Sequence, residues 1–328
     1  INVFTKSGTN GFHGTAWEYN TISALAAKNY FLPVGKVNPK YILNQFGANI
    51  GGPIVRNKAF FFVNWERSRR SQAVNGFQTI APVSIRTGNF QGTGVTIYDP
   101  STGNADGTGR TPFQDNIIPP GRISTAAAMM AALLPAPNIN TTSLSNNYFA
   151  SDSAEYTRDT IDSRVDYNPS SKSTVFGRYS IQRTNLFDPQ PLGAAGGNTL
   201  DGGQPGTAPS IIQPVGIGGT YAFSPTVLLD ANFGYTRQGL SAENSDIGTN
   251  YGLTVLKIPG TNGTSRLYGG YPQFGMTGLS SIGNPNASNP FQFRDNVYTT
   301  AVNLTAIFGK HSTRYGLEYE HYGVNNFQ

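Results

Sequence analysis

The sequence predicts an all-β protein, an antiparallel up-and-down transmembrane β-barrel, from three observations. Apolar and polar residues alternate in several segments, these segments come in pairs joined by tight turns, and long polar connections separate the pairs. Because successive side chains of a strand point to opposite faces, each segment has one apolar and one polar face. Short turns at one end and long loops at the other are typical of transmembrane barrels.

The composition favours short strands and irregular loops over helices. Charged residues make up 12% of the chain and aromatic residues 12%, and there are 39 glycines and 21 prolines. The absence of cysteine excludes disulfide scaffolds, thiol catalysis and cysteine zinc sites. No apolar run reaches the length of a transmembrane helix. The formal net charge of +5 is spread thinly, so no nucleic-acid partner is expected.

Four hairpins and one further strand are predicted. "FHGTAWEY" is the single strand, and the hairpin turns are "VRNK", "NPSSK", "SPT" and "GKHS". The two-residue periodicity covers residues 44–54 and 59–67, 158–167 and 173–183, 215–223 and 227–237, and 294–308 with the C-terminal segment. Together these segments predict about nine membrane crossings.

The connections between hairpins are long and rich in Gly, Asn, Ser, Thr and Pro. They are predicted over residues 68–157, 184–213 and 238–292. Such loops are uncommon in compact soluble domains but typical on the extracellular side of a barrel. In the first, Ser124 as N-cap and Pro135 as a stop predict a short amphipathic helix over the barrel mouth. A membrane-inserting role for this helix is the alternative.

The alternation assigns one face to lipid and the other to the lumen. In "RYGLEYEHYG", Tyr315, Leu317 and Tyr319 share the apolar face, whereas Glu318 and Glu320 share the charged one. A register error of one residue would reverse every such assignment. The lumen-facing candidates for ligand binding are Asp162, Arg164, Arg178, Asp230, Glu318 and Glu320. Aromatic girdles near the short turns are expected from Trp65, Tyr167, Tyr179, Phe223, Tyr235, Phe308 and Tyr315.

The cluster "ERSRR" predicts a contact with the outer leaflet. If "VRNK" is periplasmic, the following strand runs outward, and Arg67, Arg69 and Arg70 emerge at the outer surface. Arginine suits bidentate contact with phosphate, so lipopolysaccharide is the expected partner. A solvated rim is the alternative interpretation.

No catalytic centre, metal site or cofactor is expected. Glu318 and Glu320 project from one face at a spacing that glycoside hydrolases use, but polar lumen lining explains them with Arg314 nearby. His13, His311 and His321 lack the spacing of a zinc site. The segment "DPSTGNADGTG" lacks the ligand order of a calcium loop and predicts an ordinary turn.

Several ordered motifs resemble one family. "INVFTKSGTN" followed by "FHGTAWEY" is similar to the junction of plug and barrel in TonB-dependent outer-membrane receptors. "NQFGANIGGPIVRNKAFFFVNWERSR" looks like the next hairpin in their Oar-like branch, and "IYDPSTG", "IIPPGRIS", "LLPAPN", "NNYFAS", "DSRVDYN" and "FGRYS" follow in that branch's order.

This resemblance implies a plugged barrel of about 22 strands in the Gram-negative outer membrane. Residues 1–10 would then end the plug domain and form the junction, and residues 11–328 would form the N-terminal part of the barrel. With about nine strands the barrel would be incomplete, and the plug and the segment that contacts the TonB complex would lie upstream of Ile1.

The expected function is binding and energised uptake of an extracellular ligand through long loops and the lumen. Outer-membrane lipid, lipopolysaccharide, the TonB complex and an unidentified extracellular ligand are the expected partners. Two alternatives remain: a passive outer-membrane barrel for adhesion or surface organisation, and a secreted β-rich carbohydrate-binding or hydrolytic protein. Recovery of the protein in a soluble fraction would favour the last of these.

Overall fold

A computed structural model of the chain describes residues 5–33, 35–141, 143–201, 205–284 and 289–327. Its main element is one antiparallel sheet of 10 strands paired in chain order. The strands are β1 (His13–Ile22), β2 (Tyr41–Val55), β3 (Ala59–Gln78), β4 (Tyr148–Ser170), β5 (Ser173–Asp188), β6 (Gly206–Ser224), β7 (Val227–Ala242), β8 (Phe291–Phe308), β9 (His311–Gly323) and β10 (Asn326–Phe327). The helices are α1 (Val83–Arg86) and α2 (Thr125–Leu133).

The strand count agrees with the prediction of about nine crossings. The two-residue β10 pairs with β8 beyond the point where β9 ends, so it continues the course of β9. The sheet is therefore an up-and-down series of nine long strands. Among the described residues, β1 pairs only with β2 and β9 only with β8, so the sheet is open at both edges.

Short and long connections alternate as predicted. Tight turns join β2 to β3, β4 to β5, β6 to β7 and β8 to β9, all at one end of the sheet. The connections at the other end comprise residues 23–40, 79–147, 189–205 and 243–290. The described parts of these connections contain 3-10 helical turns at Gln114–Asn116, Pro120–Arg122, Gly193–Ala195 and Arg266–Tyr268. They also contain a π-helical turn at Tyr251–Val255.

The predicted strand ends were wrong on the loop side. Strand β3 has 20 residues and continues to Gln78, and β4 has 23 residues and already begins at Tyr148. Strands β5 to β8 likewise extend beyond their predicted limits. Above a membrane the outward face no longer has to be apolar, so the sequence pattern ends while the hydrogen-bonded ladder continues.

The register confirms the division into two faces. Val302 pairs with Leu317 and Thr300 with Tyr319 on the apolar face, while Ala301 pairs with Glu318 on the other. Tyr315, Leu317 and Tyr319 are 64%, 73% and 59% exposed, so the protein does not cover them. We call the apolar face the outer face and the polar face the inner face.

The aromatic residues of the outer face are spread along the strands, which corrects the expectation that all lie near the short turns. Tyr167, Phe223 and Phe308 lie within the last few residues before a short turn. Trp65 and Tyr179 lie six positions after the first residues of their strands, toward the loops. Tyr315 and Tyr235 lie four and eight positions after the first residues of β9 and β7. Aromatic residues therefore occur at several depths of the apolar face.

The hydrophobic core lies in the long connections and not beneath the sheet. Its members come from three connections and are Ile80, Met130, Leu134, Leu192, Ala195, Leu256 and Ile282. We call the described parts of residues 79–147, 189–205 and 243–290 the loop cap. Hydrogen bonds join its connections, for example from Ser280 N to Thr79 O (2.8 Å) and from Gly283 N to Ala195 O (2.7 Å).

The predicted helix is present within the loop cap. Ser124 accepts a hydrogen bond from Ala127 N at 3.2 Å, as an N-cap does, and the helix ends at Leu133, two residues before Pro135. Met130 is its buried residue. Helix α2 thus contributes to the core of the loop cap, but every residue after Thr125 is apolar, so the expectation of an amphipathic helix was wrong. No helix of the described chain is long and apolar enough to cross a membrane.

Candidate functional site

The inner face of the sheet carries a cavity of about 660 Å³. Strands β1, β3, β4 and β5 position its side chains because inner-face residues recur at every second position. Trp17, Asn64, Asp162, Arg164 and Arg178 are among its lining residues. The structure therefore brings together three of the six predicted ligand-binding candidates.

Arg164 is a charged side chain of this cavity that several contacts hold in place. Its guanidinium donates to the carboxylate of Asp166 at 2.7 and 3.0 Å and also donates to Thr5 Oγ1. It lies 4.6 Å from the centre of the Phe176 ring, in a cation–π contact. Asp162 accepts a hydrogen bond from Asn64 Nδ2 at 3.2 Å. These contacts hold both side chains in place before any ligand binds.

Arg178 is a positively charged residue of the cavity without an ion-pair partner among the described residues. It lies directly opposite Arg164 in the ladder, and no carboxylate of the described residues lies within salt-bridge distance of it. A Cβ at Gly216 would lie 2.7 Å from Arg178 Nε, so glycine there gives the arginine its space. With Lys6 also in the lining, the cavity attracts negatively charged groups.

The other three candidates lie outside this cavity. Asp230 accepts hydrogen bonds from Asn303 Nδ2 at 3.0 Å and from Arg314 at 3.2 Å. Arg314 shares the inner face of β9 with the two glutamates, as expected, and its ion pair is with Asp230. Glu318 and Glu320 lie on the edge strand β9, where Glu320 accepts a hydrogen bond from Tyr322 at 2.7 Å.

The arginines of "ERSRR" lie within β3 and do not share a face. Arg67 and Arg69 point to the outer face, where Arg67 is 3.5 Å from Asp159. Arg70 points to the inner face, with its guanidinium 5.4 Å from the centre of the Tyr156 ring. The expectation that all three emerge together at the strand end was wrong, because β3 continues to Gln78. Contact with lipopolysaccharide stays a prediction.

A second cavity, of about 1150 Å³, lies within the loop cap. Its walls are apolar and include Met130, Leu134, Phe274 and Met276. Arg86 and Lys257 are the charged residues of this lining, and it contains no acidic side chain. Sequence reasoning missed this site because its residues are isolated apolar positions in polar loops, far apart in the chain.

Arg86 fixes one side of the loop-cap cavity. Its guanidinium donates to the carbonyl oxygens of Ala81 (2.8 Å), Leu134 (2.7 Å) and Pro135 (2.6 Å). Burial lowers the pKa of Arg86. Since all three acceptors are neutral, the positive charge remains uncompensated beside an apolar cavity.

The segment "DPSTG" forms a hydrogen-bonded turn. Asp99 accepts from Ser101 N at 2.8 Å and from the guanidinium of Arg122 at 2.6 and 3.0 Å. The hydrogen bond from Arg122 is the main cause that lowers the pKa of Asp99 to about 2. Among the described residues, no group of three His, Asp or Glu side chains is placed to hold a metal ion.

Comparison with known proteins identifies the fold family. The family model described as outer membrane beta barrel domain matches residues 4–328. No curated protein and no solved structure matches the chain. The family match covers all nine long strands and the loop cap between them. The chain belongs to the outer membrane beta barrel domain family, which places it in the outer membrane of Gram-negative bacteria.

Proposed function

We propose that this chain forms ligand-binding surfaces of a TonB-dependent, Oar-like receptor that takes up an extracellular ligand. The observation that carries the proposal is the loop cap, whose connections share one core and enclose a cavity of about 1150 Å³. A barrel that only anchors a surface has no need of such a cavity. Ligand sites in proteins are concave, mostly apolar and contain a few placed polar groups.

The charges of the two cavities suggest the class of ligand. The loop-cap cavity combines apolar walls with Arg86 and Lys257. The inner-face cavity contains Lys6, Arg164 and Arg178, with Asp162 as the acidic residue of its lining. A ligand with an apolar part and a negative charge complements both cavities. We propose that it meets the loop cap first and the inner face next, because the long connections are the extracellular ones.

Binding in the loop cap is tested with the anionic apolar dye anilinonaphthalene sulfonate on the full-length protein in nanodiscs. Met276→Trp narrows the cavity, whereas Met129→Trp makes the same change outside its lining. Both methionines are 38% exposed, so the two variants are matched. We expect dye affinity to fall about tenfold in Met276→Trp and to stay unchanged in Met129→Trp. Equal affinities in both variants would contradict the assigned cavity.

Energy coupling is tested separately. The full-length receptor, purified in detergent, is expected to retain the periplasmic domain of TonB in a pull-down, and cells lacking TonB should not accumulate the ligand. A receptor that takes up its ligand equally well without TonB would show a passive barrel instead. This result would leave the dye experiment intact, so the two parts of the proposal can fail independently.

A further inference from the structure

Three strands carry an outer-face arginine at the same distance from the short turns. Arg69, Arg183 and Arg237 each lie ten positions after the first residue of their strand, which is Ala59 in β3, Ser173 in β5 and Val227 in β7. An even number of steps keeps a side chain on the same face, so all three point outward. On β9, His321 occupies the equivalent position after His311.

The stretch between turn and arginine is long enough to cross a membrane. A tilted transmembrane strand needs about 9–11 residues, so position ten lies at the far interface. On β7 the outer-face residues before Arg237 are Leu229, Ala231, Phe233 and Tyr235, none of which is charged. On β5 they are Val175, Gly177, Tyr179 and Ile181. On β3 the apolar stretch is shorter, because Arg67 already points outward and pairs with Asp159. The three arginines thus lie at or just beyond the extracellular limit of the apolar band.

These arginines are available to a partner. All three are exposed, and no carboxylate of the described residues lies within salt-bridge distance of them. Two outer-face acids of β4 lie near two of these arginines. Asp159 is paired across the strands with both Arg67 and Arg183 but forms its ion pair with Arg67. Glu155 lies two residues from Thr157, the ladder partner of Arg69. The three guanidinium groups therefore take part in no ion pair with the described residues.

The lateral arrangement is regular. One strand separates β3 from β5 and another separates β5 from β7, so neighbouring arginines lie on the order of 10 Å apart. At this distance each arginine meets its own anionic group. The guanidinium binds phosphate in a bidentate manner and is more weakly hydrated than an ammonium group, which suits a membrane interface.

We propose that Arg69, Arg183 and Arg237 form an outer arginine belt that binds the phosphate groups of lipopolysaccharide in the outer leaflet. The apolar band below the belt contacts the acyl chains of the same lipid. The belt differs from the expected cluster in three respects. Arg70 is excluded because it faces inward, and Arg67 is excluded because it forms an ion pair with Asp159. Arg183 and Arg237 are added from strands distant in sequence. This inference does not depend on transport.

The test removes the belt charges from the full-length protein in the outer membrane. The variant carries Arg69→Gln, Arg183→Gln and Arg237→Gln, and the protein is purified in detergent and freed of unbound lipid by size exclusion. We expect the amount of lipopolysaccharide retained per protein to fall about tenfold, because three charge-assisted contacts are lost. Heat-modifiable migration on electrophoresis shows that the variant is folded.

A charge-matched control carries Lys36→Gln, Lys40→Gln and Arg110→Gln. These residues are exposed and lie in connections, away from the outer face of the strands. The control should retain as much lipopolysaccharide as the unmodified protein. Equal retention by the belt variant and the control would overturn the proposal and indicate a solvated rim.

A second measurement needs no variant. The unmodified protein is depleted of lipid and mixed with purified lipopolysaccharide or with the same lipid after enzymatic removal of its phosphates. We expect about tenfold weaker binding of the dephosphorylated lipid and a loss of the difference at high salt. Equal binding of both lipids would overturn the proposal even if the belt variant failed to fold.

Discussion

Replacing Leu192 by alanine tests whether the loop cap is one cooperative unit. Leu192 belongs to the connection between β5 and β6 and is 1% exposed. Its cluster contains Met130 of α2 and Leu256 of the connection between β7 and β8. Truncation leaves a cavity among residues from three connections, so all three should become less stable together.

The size of the effect follows from the burial. A fully buried Leu→Ala change typically costs about 2–5 kcal/mol. Exchange through local opening of the loop cap should therefore accelerate about 30-fold or more, since about 1.4 kcal/mol corresponds to a factor of ten. The assay is hydrogen–deuterium exchange of the detergent-purified protein, read from peptides that cover residues 125–134 and 251–258.

The control is Leu144→Ala, because Leu144 also lies in the loop cap but is 41% exposed. It should change exchange only slightly. In Leu192→Ala the strands should keep their slow exchange, since the sheet does not rest on this core. Acceleration confined to the connection between β5 and β6 would refute the shared core, and with it the structural basis of the ligand cavity.

Two further predictions concern the membrane face and the loop turn. Val302 and Ala301 lie at the same depth on β8 but on opposite faces. Val302→Arg on the outer face should lower the free energy of unfolding in lipid by about 2–4 kcal/mol, whereas Ala301→Arg, opposite Glu318, should change it little. Equal losses of stability in urea titrations would contradict the assignment of the two faces. The pKa of Asp99 is lowered to about 2, so its ionised contacts are present above about pH 4 and disappear as the pH falls through about 2. Arg122→Gln should raise this pKa in an NMR titration, and an unchanged midpoint would exclude Arg122 as the main cause.

Side-chain orientation could be predicted from the sequence because the period of a strand is fixed. Asp162 and Arg164 were assigned to the polar face from alternation alone, and the register places both in the inner-face cavity. Strand ends were not predictable. Arg67 and Arg70 look like the start of a loop because the apolar alternation stops, yet β3 continues above the apolar band.

The core of the loop cap could not be predicted for a different reason. Ile80, Leu192 and Leu256 are separated by more than sixty residues and come from three different connections. Periodicity carries no information about contacts between loops. Only "AAAMMAALL" gave a local signal, since helix α2 has both a cap and a stop.

The central claim is that the apolar face of the sheet contacts lipid and the polar face contacts water. The chain contains no cysteine, so single cysteines placed along residues 228–236 of β7 carry spin labels without background. In lipid bilayers, labels at Leu229, Ala231 and Phe233 should be accessible to oxygen, and labels at Asp230 and Asn232 to a water-soluble nickel complex. Alternation with a period of two and this phase is the predicted result. Uniform accessibility, or alternation with the opposite phase, would contradict the account.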